Sequence, residues 1–318
     1  MCKKDSLWIS ICVIFTFSST VKAQFPIDAE AQSYLDAVSL NGKSLVSFDV
    51  LYRTEEVTLL GPHVSIESFY RYRFDDDGKR ALFLARRKYG GIENGKAVRK
   101  SMAYGILFQD GELAYSKFDG VIKNFQGTMH VALGRYGQVP NMRMVGLSPF
   151  PQSFAMTKSF TEDVKLLALG QKATPVADGK IQLQRSIPFS ADRNLLHVET
   201  RVFSPDTLLP GLTTMAGERV LNGQRKRQVM LREACQWEEH ESVYVPSNVE
   251  QSRYKSSRPE KEKEPESSEK ITDTVFHWFS VNKTMDDKHF DPSIIEALPK
   301  AMKLLDPKLA KATSLVSP

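Results

Sequence analysis

Cysteine is scarce in this 318-residue chain, and its placement sharpens the scarcity: Cys2 and Cys12 lie at the extreme N-terminus and only Cys235 lies beyond them. A lone thiol cannot close an intramolecular disulfide, so the body of the protein must hold together by burial and backbone hydrogen bonds. Cys235 alternates with Val229, Leu231 and Trp237, the pattern of a buried strand rather than of a reactive thiol. A strong charge of one sign is also missing. The formal charge is +5, and Lys3, Lys4 and Lys22 against Asp5 carry part of that excess in the first residues. The remainder is spread along the chain, which does not suggest nucleic acid or a strongly anionic membrane as partner, since both need a concentrated basic surface, and no nucleic-acid partner is expected. Long apolar runs are absent too: the longest, over 7–17, falls short of the ~20 residues that a spanning helix requires.

The motifs of chemistry are equally thin. His63, His130, His197, His240, His277 and His289 never fall at metal-ligand spacing, so no metal site is expected. His277 alternates with Val275 and Phe279 and reads as part of a strand. Asp75-Asp76-Asp77-Gly78 lacks the spaced ligands and distal glutamate of a calcium loop and reads as a turn. Ser148 and Ser153 sit in a Pro-rich loop without a nucleophile elbow, and no Gly-rich phosphate loop links a strand to a helix. No catalytic residue and no cofactor are nominated. Arg86-Arg87-Lys88 and Arg225-Lys226-Arg227 fall at strand ends, where solvated charge is expected.

What is present begins with an export signal. Lys3 and Lys4 precede the apolar run, and Val21-Lys22-Ala23 has the small-x-small pattern of a signal-peptidase site, which predicts cleavage after Ala23. No cysteine follows that site to take a lipid, so the expected product is a periplasmic or secreted soluble protein comprising residues 24–318 as one domain. Asp28 caps a helix over 29–40, with Ala31, Tyr34, Leu35 and Val38 on one face and Asn41-Gly42 as its stop. The period then changes to two. Val46, Phe48, Val50 and Tyr52 mark a strand, Ile66, Tyr70, Tyr72 and Phe74 a second, and Leu82 and Leu84 its hairpin partner. Gly90-Gly91 opens a loop, and Met102, Tyr104, Ile106 and Phe108 form a further strand. Short turns between them imply an antiparallel meander.

Glycines 134 and 137 and Pro140 break the segment 128–146 into short helix and loop, and 162–169 reads as a second short helix. Strand signals return over 181–187, 195–203, 217–221, 228–237, 242–254 and 274–282. Between the last two lies a charged insertion, 255–270, rich in Lys and Glu and read as a disordered loop. A C-terminal helix opens at Asp291-Pro292, with Ile295, Leu298, Met302 and Leu305 as its apolar stripe.

This order of elements carries a resemblance: the helix 29–40, the strand 44–53, the pair 65–75 and 79–87, the segment 129–151, and the strand 274–282 with His277-Trp278-Phe279. It resembles the periplasmic lipoprotein-carrier superfamily, the LolA/LolB-like proteins, and especially its larger secreted bacterial branch. The resemblance implies a mainly β, α+β fold: a strongly curved antiparallel sheet forming an unclosed barrel, with mid-chain helices over its concave face. It also implies that this face can hold acyl chains. Aromatics concentrate in the first meander, so Phe48, Val50, Tyr70, Tyr72, Leu82, Leu84, Tyr104 and Ile106 are the expected cavity lining. Two functions follow. One is a non-enzymatic envelope binding protein or carrier for a lipid, a lipoprotein acyl chain or another amphiphile. The other is a structural module whose barrel is filled by side chains and which binds an envelope protein through an edge or loop.

Overall fold

The computed structural model describes residues 28–58, 64–75, 78–93, 96–109, 112–118, 121–123, 139–151, 172–189, 192–221, 224–254, 268–297 and 301–308. The signal segment with its cleavage site, the helix expected over 162–169 and nearly all of the charged insertion lie outside them.

Helix α1 (Ala29–Ser44) opens the described chain, with the Asp28 carboxylate accepting from the Glu30 N–H at 3.0 Å. Strands β1 (Ser47–Thr58), β2 (Val64–Asp75), β3 (Gly78–Glu93), β4 (Lys96–Gln109), β5 (Glu112–Phe118) and β6 (Val121–Lys123) form the first meander. The second comprises β7 (Lys172–Pro175), β8 (Ile181–Phe189), β9 (Asp192–Phe203), β10 (Pro210–Leu221), β11 (Gln224–His240), β12 (Val243–Tyr254) and β13 (Ser268–Val281). Among the described residues they make one 13-stranded sheet in the order β6-β5-β4-β3-β2-β1-β13-β12-β11-β10-β9-β8-β7. The last strand therefore returns to lie antiparallel beside the first, with Tyr52 opposite Phe276 and Val50 opposite Trp278. Strands β6 and β7 are the two ends, so the curved sheet stays unclosed.

The central strands are buried on both faces. Along β1, Phe48, Val50 and Tyr52 point to one side and Asp49 and Leu51 to the other, and all five are buried. On the inner face, Val139, Met142 and Val145 of the turn-rich segment 139–151 pack on the side chains of β1–β4 and β11–β13. Helix α1 covers β7–β9 through Ala31, Tyr34, Leu35 and Val38 against Ile181, Leu183 and Phe203. The outer face of β1–β4 lies beneath the C-terminal segment: Leu51, Phe69, Leu82, Leu84 and Leu107 meet Met285, Phe290, Ile295, Met302 and Leu305. A buried pair sits there too, Arg71 donating to both Asp49 carboxylate oxygens at 2.7 Å.

Several elements differ from the sequence expectation for identifiable reasons. Helix α1 runs through Asn41-Gly42 to Ser44, because the Asn41 amide is engaged elsewhere: its Nδ2 donates to Tyr244 O at 2.9 Å and its Oδ1 accepts from Tyr244 N at 2.8 Å. Strand β3 passes through Gly90 and Gly91, which pair with Arg99 and Val98 of β4. Strands β10 and β13 begin earlier than their apolar alternation suggests, since Pro210 and Ser268 already pair with Phe203 and Tyr254. Among the described residues the C-terminal helix is seen as a short α2 (Ser293–Glu296), a helical Ala301 whose N–H donates to Ala297 O at 3.0 Å, and a 3₁₀ turn (Met302–Leu305); Leu298 of the expected stripe lies outside them.

Candidate functional site

The inner face of the sheet carries a floor of aromatic rings. Phe48 of β1 meets Tyr70 edge-on at 5.1 Å, stacks on Tyr72 at 5.3 Å and meets Trp278 of β13 at 5.6 Å. Tyr52 packs on Phe276 at 5.4 Å, Phe83 bridges Tyr70 at 5.6 Å and Tyr104 at 6.0 Å, and Phe276 stacks on Trp278 at 6.4 Å. These positions meet because directly paired residues of antiparallel strands share a face: Phe48 opposes Tyr72, Tyr70 opposes Phe83, and Phe83 opposes Ile106. Val50 and Ile106 complete the floor, both fully buried.

The register also separates two residues from the expected lining. Leu82 opposes Arg71 and Leu84 opposes Phe69, so both point to the outer face, under Met285, Phe290 and the C-terminal turns. The alternation through Tyr70 and Tyr72 continues into Phe83 and Ala81 rather than into Leu82 and Leu84; crossing the hairpin after Asp75 shifts the pattern by one residue. Phe48, Val50, Tyr70, Tyr72, Tyr104 and Ile106 are brought together as expected positions of one face. Phe83, Phe276 and Trp278 join them, the last two from the far end of the sequence.

Burial raises the Tyr52, Tyr70 and Tyr72 hydroxyls above the ordinary phenol range, and pushes Tyr104 up to about 12. The floor is therefore apolar in its rings and studded with neutral hydroxyls. The segment 139–151 roofs it. Arg143 donates from Nε and Nη2 to Leu45 O at 3.1 and 2.9 Å while its guanidinium lies 5.9 Å from the Tyr72 and Phe74 ring centres. Gly146, at φ +77°, fits against Cys235 Sγ and Trp237. Burial, together with the nearby Glu233 carboxyl, raises the Cys235 thiol well above its usual range, so it behaves as a packing group.

Next to the floor on the same face runs a polar row. Leu231, Glu233 and Cys235 alternate inward on β11, and Glu233 lies opposite Thr213 of β10, which lies opposite Arg201 of β9. Arg201 Nε donates to Leu147 O at 3.1 Å and its Nη2 to Glu199 Oε2 at 3.1 Å. Gln251 of β12 donates to Glu233 Oε2 at 2.6 Å and to Pro149 O at 2.9 Å, so the row also holds the roof. Burial alone would raise Glu199, but the His197 hydrogen bond and the Arg201 and Arg185 guanidiniums hold it at about 2. For Glu233 burial prevails over Gln251 and Arg201 and lifts the carboxyl to about 7. These charged inward positions escaped the sequence reading. Their one signal was a glutamate flanked two residues either side by Leu231 and Cys235, inside an otherwise apolar inward stripe.

Among the described residues no group of three His, Cys, Asp or Glu side chains could hold a metal ion, and no helix is long and apolar enough to cross a membrane. No protein-family profile and no curated protein matches the sequence. Among solved structures, the chain is similar to a LolA superfamily protein from Nitrosomonas europaea, at 9% identity and a TM-score of 0.39, over 83% of this chain and 98% of that one. It is also similar to a DUF1329 family protein from Desulfovibrio piger, at 11% identity and a TM-score of 0.37, over 83% of this chain and 98% of that one. A third is LprF from Mycobacterium bovis, at 12% identity and a TM-score of 0.27, over 82% of this chain and 97% of that one.

Proposed function

We propose that the protein is an exported, non-enzymatic binding protein of the cell envelope, and that residues 24–318 work as one unit whose inner face takes the apolar chain of an amphiphile. The supporting observation is the floor itself: rings from β1–β4 and β13 gathered on one face of an unclosed sheet, roofed by the strandless segment 139–151. An unclosed sheet leaves its inner face to be covered by something, and rings with neutral hydroxyls suit a chain that ends in a polar group. In this reading Phe48, Val50, Tyr52, Tyr70, Tyr72, Phe83, Tyr104, Ile106, Phe276 and Trp278 contact the chain. Entry requires the roof to move, which means releasing the Arg143, Arg201 and Gln251 bonds to Leu45, Leu147 and Pro149 carbonyls.

A second reading is favoured by the burial of that floor in the chain as it stands: Val50, Tyr70 and Ile106 are 0% exposed. A floor so covered fits a side-chain-filled module that binds an envelope protein through an edge or a loop. Native mass spectrometry of protein purified from the periplasm, followed by solvent extraction of any extra mass, separates the two. A stoichiometric amphiphile, released by Tyr72→Glu, is the expected result. Protein that arrives empty and takes up no fluorescent fatty acid would overturn the carrier reading in favour of the module.

A further inference from the structure

Polar atoms buried without partners are few in folded proteins, and each asks for an explanation. Here three of them fall at directly paired positions on consecutive strands: Arg201 Nη1 on β9, Thr213 Oγ1 on β10 and Glu233 Oε1 on β11. Their residues are only 4%, 1% and 2% exposed. Directly opposed residues place their Cβ atoms ~5 Å apart, so the three side chains stand side by side on the inner face with Thr213 between the other two. We propose that Arg201, Thr213 and Glu233 form a seat for an oxyanion, the carboxylate or phosphate head of an amphiphile whose chain lies on the aromatic floor.

The charge of the surroundings sets the sign of the ligand. Arg185 of β8, Arg201, and Arg253 of β12, which lies opposite Leu231, bring three guanidiniums to this face. Against them stand Glu199, which is ionised, and Glu233, which keeps its proton to near neutral pH. The excess is cationic, with Arg185 and Arg201 buried and Arg253 half-buried. Arg201 is already aimed, because its Nε and Nη2 are tied to Leu147 O and Glu199 Oε2 while Nη1 is left over. A planar guanidinium, a hydroxyl and a protonated carboxyl can all donate to one oxyanion. Position agrees with this. Glu233 lies one inward step from Cys235, and Gln251 one step from Val249, and both Cys235 and Val249 belong to the core that contains the floor. A head seated on the row thus leaves its chain running toward Phe276 and Trp278. The proposal for the chain rests on the function proposed above; the seat itself does not.

The test titrates the delipidated full-length protein with dodecanoate, dodecyl phosphate and dodecanol below their micellar concentrations, and with acetate and inorganic phosphate alone, by calorimetry. The two charged amphiphiles should bind at least tenfold more tightly than dodecanol. Thr213→Val, which keeps the shape and removes the hydroxyl, should cut that advantage about fivefold and leave dodecanol unchanged; Glu233→Met should do the same. Thr213→Val removes an unpartnered buried hydroxyl, so it should fold at least as stably as the parent and keep the test decisive if Glu233→Met does not. Equal binding of dodecanoate and dodecanol, indifferent to both variants, overturns the seat and leaves the aromatic floor as the binding surface. Acetate or phosphate binding that Thr213→Val weakens, with no amphiphile bound, keeps the oxyanion seat and removes the chain. Binding by none of the five overturns both.

Discussion

Gly146 sits at φ +77°, and a Cβ there would meet Cys235 Sγ at 2.5 Å and Trp237 Cζ2 at 2.8 Å. Alanine would carry both a left-handed backbone cost of about 1–2 kcal/mol and an overpacking cost of about 1–3 kcal/mol. Gly146→Ala is therefore expected to lose roughly 3 kcal/mol in urea denaturation. Because part of the clash is with the sulfur, Cys235→Ala should restore some of it in the double variant; strictly additive losses would place the roof elsewhere. The Asp49–Arg71 pair is a second single-residue lever. Both side chains are 3% exposed and joined by two 2.7 Å bonds, so Asp49→Asn leaves a buried guanidinium without its counter-charge. A loss of about 3–5 kcal/mol is expected, and Asp49→Leu with Arg71→Met should recover most of it. A loss in the double variant as large as in the single one would refute that account.

At the scale of elements, the C-terminal segment and α1 are docked in different ways. The segment lies over Leu51, Phe69, Leu82, Leu84 and Leu107, and Arg73 ties it down through Met285 O at 2.6 Å and Asp287 at 2.7 Å. Exposing five such side chains removes at most ~1.5–3 kcal/mol each, a total comparable to the net stability of a whole domain. A chain ending at Asn282 is therefore expected to bind a hydrophobic dye and lose its near-ultraviolet circular dichroism; a native spectrum would show the outer face to be dispensable. Helix α1 leans on directional bonds as well as on burial. Asn41→Ala removes both amide bonds to Tyr244, worth about 1–3 kcal/mol together, and should raise hydrogen exchange in α1 more than in β1.

For the molecule as a whole, the polar row links stability to pH in two opposite windows. Glu233 has a folded value of about 7 against an unfolded one near ~4.3, so its contribution is complete below ~4.3 and is lost as pH rises to about 7. Glu199, held at about 2, contributes above ~4.3 and loses that contribution as pH falls toward 2. Each window spans about 3 kcal/mol. Glu233→Gln should therefore match the parent near pH 4 and exceed it by roughly 3 kcal/mol at pH 8, as read by denaturant unfolding. Parallel profiles for the two proteins would mean that Glu233 is not held protonated by burial. The sheet's open ends are guarded at the same scale. Strands β6 (Val121–Lys123) and β7 (Lys172–Pro175) are short, and Pro175 and Lys172 discourage pairing with another copy at the β7 end.

By itself the sequence determined the strand-rich architecture and most of its turns, because period-two alternation and Asn-Gly or Asp-Gly pairs are local signals. It also placed Phe48, Val50, Tyr70, Tyr72, Tyr104 and Ile106 inward, since each alternates with residues of the opposite face. It could not place Leu82 and Leu84, because both faces of β3 are buried and apolarity no longer distinguishes them; only the pairing of Phe83 with Tyr70 does so. Asn41 looked like a helix stop because its partner, Tyr244, lies 203 residues away. The floor's completion by Phe276 and Trp278, and the meeting of Arg201, Thr213 and Glu233, depend on which strands become neighbours. That choice is made by long-range pairing, in which each residue is polar or apolar as read but acquires its role only from the strand beside it.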